Sequence, residues 1–359
     1  MRPLVLTLSM AFALLLAAVS AWPDGHVAEA NPKRATPAAE SVPLPHRVHS
    51  RSGPLARARS KLVELETAPF PYNGLMPRTQ KPFLDVFENG RRGHRTGAGR
   101  IYWEDETYSD RQVLLHIPKG FDIRRPGLII VFFHGHGAKL ADDVYLRQQV
   151  PAQISSSGIN AVLVAPQLAV NAADSSAGKL WQPGALARFL GEAAQHLAKL
   201  HGDPSSLKSF TSMPVIIVAY SGGYLATAWS VHHGGLSRRL RGVVLFDALY
   251  GELDTFADWI STQKSAFFVS TYAGSTQARN LQLQKMLADR EIGFSTELEP
   301  RLQPGSIAFL PGSKDAEHKD FLTHAWVDDP LKDLLTRLKG YRAAPERAQT
   351  AGRADQRKP

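Results

Sequence analysis

The sequence predicts a doubly wound α/β fold, in which helices cover both faces of a mostly parallel sheet. Short, unbroken apolar runs recur along the chain, for example at residues 128–133 and 215–220, and such runs are typical of parallel strands buried on both faces. Helical patterns separate these runs, as in repeated strand–helix units. The chain has 359 residues, of which 43% are hydrophobic, so it can bury a full core.

Each element of this sheet follows from its apolar pattern. The predicted strands are residues 111–117, 128–133, 161–165, 215–220, 242–246, 266–270 and 307–310. The predicted helices are residues 143–156, 184–200, 223–233, 277–289 and 330–338. One further strand is expected at 101–108, paired antiparallel with 113–117.

The N-terminus has the features of an export signal. Arg2 precedes an apolar stretch at 4–18, and a small-residue cleavage site ends at Ala21, with a second candidate at Ala30. We therefore expect a signal peptide at 1–21 and an exported, periplasmic or secreted protein with no stable membrane span after cleavage. Retention of this segment as an anchor is the alternative.

Basic charge is concentrated near the two termini. The formal net charge is +9, but residues 31–61 contain seven Lys/Arg and one Glu, and residues 341–359 contain five Lys/Arg and two acidic residues. The stretch 62–340 is therefore nearly neutral, which argues against nucleic acid as a partner. Composition predicts a disordered basic linker at 22–65 and a disordered tail at 341–359, on either side of one domain at 66–340.

A tight strand-to-helix turn is predicted around Ser221. The β-branched strand 215–220 ends at this serine, and a helix pattern begins directly after Gly222 and Gly223. Such a turn exposes the serine hydroxyl above the sheet, and the helix start directs free N–H groups at negative charge forming beside it. The motif is G-x-S-x-G, with Ala219 at the first glycine position.

A second motif, His134-Gly135-His136-Gly137, follows the strand at 128–133. Together with the serine turn, and with an acid and a histidine after later strands, it makes residues 80–340 resemble the α/β-hydrolase superfamily, which includes esterases and lipases. The resemblance implies a sheet of the α/β-hydrolase type. Many members insert a large cap between the strands that correspond to 242–246 and 266–270, but only 250–264 separates them here, so no large cap domain is expected.

The resemblance also implies a catalytic triad. Ser221 would be the nucleophile, and the base would be a histidine after the last strand, for which His318 is favoured over His324. No carboxylate follows the strand at 266–270, so the acid is assigned to Asp247, with Asp254 as the reserve.

The oxyanion hole would combine the N–H of Gly222 with those of Gly135 or His136. His134 is expected to have a structural role, since it lies at the strand end. A substrate pocket lined by Tyr220, Tyr224 and Trp181 is expected, with the loop 167–184 as one wall; the listed pocket residues are aromatic and follow or precede the elements that carry the site.

These features together predict an exported serine hydrolase, most simply a carboxylic-ester hydrolase that forms an acyl-enzyme on a small-molecule ester. An amidase, peptidase or acyltransferase would use the same triad, and a non-catalytic envelope-binding protein could share the scaffold. No cofactor is required by this chemistry. A zinc site at His134 and His136 is not expected, because the sequence offers no evident third ligand, and the absence of cysteine excludes thiolate sites and disulfides.

Overall fold

A computed structural model describes residues 53–343, which build an eight-stranded sheet and a small three-stranded sheet. The strands of the large sheet are β1 (Arg59–Glu64), β5 (Gln112–Ile117), β6 (Leu128–Phe133), β7 (Ala161–Pro166), β8 (Val215–Tyr220), β9 (Leu240–Phe246), β10 (Phe267–Tyr272) and β11 (Ile307–Pro311). Their order across the sheet is β1-β5-β7-β6-β8-β9-β10-β11. The β6 to β11 strands run parallel, whereas β5 is antiparallel to β1 and β7.

Helices flank this sheet along the chain. They are α2 (Val150–Ser156), α3 (Ala185–His201), α4 (Leu207–Ser212), α5 (Tyr224–His233), α6 (Leu253–Thr262), α7 (Gly274–Ala288) and α8 (Pro330–Thr336). The predicted doubly wound, mostly parallel α/β sheet of the α/β-hydrolase type is therefore confirmed. Between β9 and β10 the chain forms one short helix, α6, and no cap domain is inserted there.

The two faces of the sheet carry separate hydrophobic clusters. Along β8, Ile217 and Ala219 belong to one cluster, which includes residues of α3, α6 and α7, whereas Ile216 and Val218 belong to the other, with residues of α2 and α8. The alternation follows from the two-residue period of a strand, which sends successive side chains to opposite faces. All six residues of β8 are buried, because helices cover both faces.

The predicted linker at 22–65 is wrong at its C-terminal end. Residues 59–64 form the edge strand β1, which pairs along its whole length with β5. Arg59 donates hydrogen bonds to the carbonyl oxygens of Leu200 and His201, where α3 ends. Its charge therefore satisfies helix carbonyls, although in the sequence it suggested a solvated linker. The signal peptide at 1–21, the linker up to residue 52 and the tail from 344 lie outside the described residues.

The strand expected at 101–108 is also different in the structure. β4 (Ile101–Trp103) pairs with β3 (Arg91–Arg95), which pairs with β2 (Val86–Glu88), in the separate antiparallel sheet. The next residues form the short helix α1 (Glu104–Thr107), whose acidic first turn suits a helix N-terminus. A further difference is that the predicted helix 143–156 is divided into a π-helical segment, Leu140–Arg147, and α2.

Among residues 53–343, no helix combines the length and the apolarity needed to cross a membrane.

Candidate active site

Ser221 lies at the sharp turn between β8 and α5, as the sequence predicts. Its backbone has a φ of 52°, in the left-handed region that non-glycine residues rarely adopt. A Cβ added at Gly223 would lie 2.4 Å from the carbonyl oxygen of Phe133, so the turn needs glycine there. The serine side chain is thereby held at the carboxyl end of the sheet, where ligands of open α/β sheets bind.

Ser221, His318 and Asp247 are joined in one hydrogen-bonded line. The Ser221 Oγ lies 2.8 Å from the Nε2 of His318, and the Nδ1 of His318 lies 2.5 Å from a carboxylate oxygen of Asp247. His318 begins a short 3₁₀ segment, His318–Leu322, after β11. The structure thus brings together three residues that are about 70 to 100 positions apart.

The two reserve candidates do not reach this line. His324 forms an ion pair with Asp320 at 3.1 Å, and its side chain is 61% exposed. Asp254 lies in the first turn of α6 and is exposed.

Asp247 is fully buried just beyond β9 and is surrounded by donors. Its carboxylate accepts hydrogen bonds from the backbone N–H of Ala273 at 3.1 Å, from the hydroxyl of Ser275 at 2.6 Å and from the hydroxyl of Thr276. Burial tends to raise the pKa of this carboxyl, but the hydrogen bonds from His318, Ser275 and Thr276 outweigh it, and the pKa is lowered. The carboxylate is therefore kept ionised beside the imidazole.

Ser275 and Thr276 were not singled out by the sequence. They follow β10, in the segment where the absence of a carboxylate made the acid difficult to assign. The segment supplies hydroxyl donors that hold the carboxylate of the preceding strand. Two hydroxyl residues at the start of a helix, α7, were the only available signal.

The loop after β6 lies directly against the nucleophile. A Cβ added at Gly135 would be 2.7 Å from the Cβ of Ser221, and one added at Gly222 would be 2.3 Å from the ring of His136. In the part of the chain that the structure describes, the backbone N–H groups of His136 and Gly222 are not among the donors used by the fold. They are thus available beside the serine.

His134 fixes this loop from below. It is 1% exposed, and its Nδ1–H donates to the carbonyl of Gly135 at 2.8 Å. Its Nε2 accepts from the side-chain amide of Gln167 and from the N–H of Leu168, both at 2.8 Å. Burial lowers the pKa of His134 to about 4, so the ring is neutral. The predicted structural role of His134 matches this geometry.

The loop that follows Gln167 forms a wall beside the site. The Nε2 of His136 and the Oγ of Ser175 share a hydrogen bond of 2.7 Å. The neighbouring Asp174 accepts a hydrogen bond from the hydroxyl of Tyr108 at 2.9 Å, and the N–H of Ala173 donates to the hydroxyl of Tyr102 at 3.0 Å. The wall is therefore braced by residues near the small sheet, which the sequence did not implicate.

The three aromatic residues predicted to line the pocket have different surroundings. Tyr224 is half-buried, and its ring lies 6.0 Å from that of Tyr250, whose own ring contacts His318 edge-on at 6.2 Å. Trp181 is only 7% exposed and makes edge contacts with Tyr72 and Phe83 in the core.

Tyr220 is also 7% exposed and packs on His318. The prediction that Trp181 and Tyr220 line an open pocket is therefore wrong, because their rings fill the protein interior. Within residues 53–343, no group of three or more His, Cys, Asp or Glu side chains is arranged to hold a metal ion.

A strained serine on a strand-to-helix turn, a histidine after the last strand and a buried aspartate meet at the carboxyl end of this sheet. The arrangement and the fold are of the α/β-hydrolase type, and the resemblance drawn from the sequence is confirmed at the level of the fold.

Comparison with solved structures gives resemblances at low sequence identity. A ferulic acid esterase is 12% identical, with a TM-score of 0.42 over 78% of this chain and 98% of that one. An S-formylglutathione hydrolase from Agrobacterium tumefaciens is 10% identical, with a TM-score of 0.40 over 70% and 97%. An IroE-like serine hydrolase from Shewanella oneidensis is 10% identical, with a TM-score of 0.37 over 77% and 78%. The sequence matches no protein-family model and no curated protein.

Proposed function

We propose that this protein is a serine hydrolase that cleaves carboxylic esters through an acyl-enzyme. The observation that carries the proposal is the continuous hydrogen-bonded line from Ser221 Oγ through both ring nitrogens of His318 to the buried carboxylate of Asp247. A serine hydroxyl is a weak nucleophile by itself, and a histidine within hydrogen-bond distance can take its proton.

The first half of the reaction follows from this geometry. The Nε2 of His318 takes the proton of Ser221 as the Oγ attacks the ester carbonyl carbon. The resulting oxyanion accepts hydrogen bonds from the N–H groups of Gly222 and of His136 or Gly135. Removal of one such donor in comparable sites costs about 3–4 kcal/mol of transition-state stabilisation. The protonated His318 then gives its proton to the departing alkoxide, which leaves an acyl group on Ser221.

In the second half, water replaces the alcohol and is deprotonated by His318, and the acid product and free Ser221 are released. Asp247 stays ionised throughout, holds the Nδ1–H tautomer and stabilises the imidazolium. These steps balance with water as the second substrate and need no cofactor or metal ion.

The substrate is proposed to be a small-molecule ester that reaches the serine between the Ser175 wall and Tyr224. The predicted signal peptide supports export to the periplasm or the medium, and the nearly neutral domain supports the absence of a nucleic-acid partner. An ester is favoured over an amide because the alkoxide is the better leaving group.

A fluorophosphonate probe tests the proposal. We expect stoichiometric labelling of Ser221 in the intact protein, no labelling of Ser221→Ala, and a burst of product with an activated ester. An amide panel separates the alternatives, since faster turnover of amides would indicate an amidase or peptidase. Absence of any adduct in folded protein would contradict catalysis and favour the binding-protein alternative.

A further inference from the structure

Tyr220 directly precedes Ser221 and faces the histidine base. Its ring stacks on the imidazole of His318, with centroids 5.0 Å apart and the planes inclined by 19°. Because only 7% of the residue is exposed, it has little surface to offer to a substrate. The sequence suggested a pocket residue, but the structure gives the ring a partner inside the triad.

A second contact joins the same two residues. The phenol O–H of Tyr220 donates to the backbone carbonyl of His318 at 3.1 Å. Burial raises the pKa of Tyr220 to about 12, so the phenol keeps its proton and remains a donor at neutral pH. Tyr220 therefore holds His318 at two points, the ring plane and the main chain.

His318 needs such support because the surrounding chain gives little. It starts a 3₁₀ segment of five residues and follows a polar, mostly exposed loop at 312–317. The hydrogen bond to Asp247 fixes the Nδ1, but rotation of the ring about that bond would move the Nε2 away from Ser221. Tyr250 contacts the imidazole only edge-on, at 6.2 Å and 80°, and is itself 36% exposed.

We propose that Tyr220 is a positioning residue for the reaction, which orients the His318 imidazole toward the neighbouring serine. The inference rests on the proposed function and deepens it. Because Tyr220 and Ser221 are consecutive at the end of β8, the same strand end holds the nucleophile and orients the base. Small displacements of the strand then move both together and preserve the 2.8 Å contact between Ser221 Oγ and His318 Nε2.

The test compares Tyr220→Phe and Tyr220→Leu in the full-length protein. Fluorophosphonate titration counts competent sites, and steady-state turnover of an activated ester gives kcat per titrated site. Tyr220→Phe keeps the stacked ring and loses the carbonyl bond, so kcat should fall about 3- to 10-fold. Tyr220→Leu loses both contacts, and kcat should fall about 100-fold, with KM within about 3-fold of the wild type.

Tyr145, an exposed tyrosine in the π-helical segment, provides the matched control. Tyr145→Phe and Tyr145→Leu should keep kcat within about 2-fold of the wild type. If Tyr220 merely stabilises the fold, its variants will lower the titratable fraction and leave kcat per site unchanged, which overturns the inference. A raised KM with unchanged kcat also overturns it and would make Tyr220 a substrate contact.

The proposed function fails separately. If wild-type Ser221 is not labelled at all, the hydrolase proposal and this inference are both contradicted. If the wild type is labelled and Tyr220→Leu turns over at the wild-type rate, only the inference is contradicted. If Tyr220→Leu does not fold, the expected 3- to 10-fold loss in the more conservative Tyr220→Phe decides the question, and an unchanged kcat there overturns the inference.

Discussion

Two loops beside Ser221 each contain two histidines, and the loops use them differently. In the loop after β6, His134 is buried and bonded through both ring nitrogens, whereas His136 reaches the wall at Ser175. In the loop after β11, His318 contacts Ser221, whereas His324 is on the surface beside Asp320. Each loop thus places one histidine near the serine and uses the other elsewhere.

The difference between His134 and His318 lies in the acceptor of the Nδ1–H. For His134 it is a neutral backbone carbonyl, and burial without a counter-charge lowers its pKa to about 4. For His318 it is the ionised carboxylate of Asp247, which can balance a positive imidazolium. A buried histidine without a carboxylate therefore serves as a neutral structural bridge, whereas one with a carboxylate can act as a base.

Removal of the base should give the largest effect. We expect His318→Ala to reduce kcat about 10⁴- to 10⁶-fold, because no other group in contact with Ser221 Oγ can take its proton. The unfolding free energy should change by less than about 1 kcal/mol, because the side chain is 37% exposed. Ester turnover and urea denaturation measure the two quantities.

The matched control is the other histidine of the same loop. His324→Ala should stay within about 2-fold of wild-type turnover, since only a surface ion pair is lost. Inactive His324→Ala together with active His318→Ala would reverse the assignment of the base.

Conversion of the carboxylate into a neutral amide should have the next largest effect. Asp247→Asn should reduce kcat about 10³- to 10⁴-fold, because an amide neither selects the same tautomer nor stabilises the imidazolium. Asp254→Asn, at the exposed reserve candidate in α6, should leave turnover unchanged. Equal turnover of the Asp247 variant and the wild type would show that His318 acts without its carboxylate.

The structural histidine should show the reverse balance between stability and activity. His134→Ala should lower the unfolding free energy by about 2–4 kcal/mol, because the Gln167 amide and the Leu168 N–H lose their acceptor in a buried site. Urea denaturation at pH 7 measures the change. A loss smaller than that in His318→Ala would contradict the distinction between the two histidines.

The pH dependence of stability should sharpen the same distinction with a smaller effect. The pKa of His134 is about 4 in the folded state against 6.5 for the free side chain, so the unfolded chain binds the proton more readily between these values. Its contribution, about 3 kcal/mol, is therefore present above pH 6.5 and is lost as the pH falls toward 4.

The measurement is the difference in unfolding free energy between the wild type and His134→Ala at several pH values. This difference should shrink between pH 6.5 and 4. His116, whose pKa burial also lowers to about 4, is present in both proteins, so its contribution cancels. A constant difference over this range would mean that His134 does not carry the effect.

The sequence alone predicted the α/β fold, the turn at Ser221 and the loop 134–137. Each of these depends on neighbouring residues, since strand and helix periods and the need for glycine in a tight turn are read over fewer than ten positions. The order of the elements also favoured His318, because the base was expected after the last strand.

The tertiary structure decided which distant side chains meet. It brought Asp247 to His318 and surrounded the carboxylate with Ser275 and Thr276, turned Tyr220 onto the imidazole and buried Trp181 in the core. These outcomes depend on how segments far apart in the chain pack against one another. A pattern of residue types fixes the face on which a side chain lies, but its contacts are set by the neighbours that the whole fold supplies.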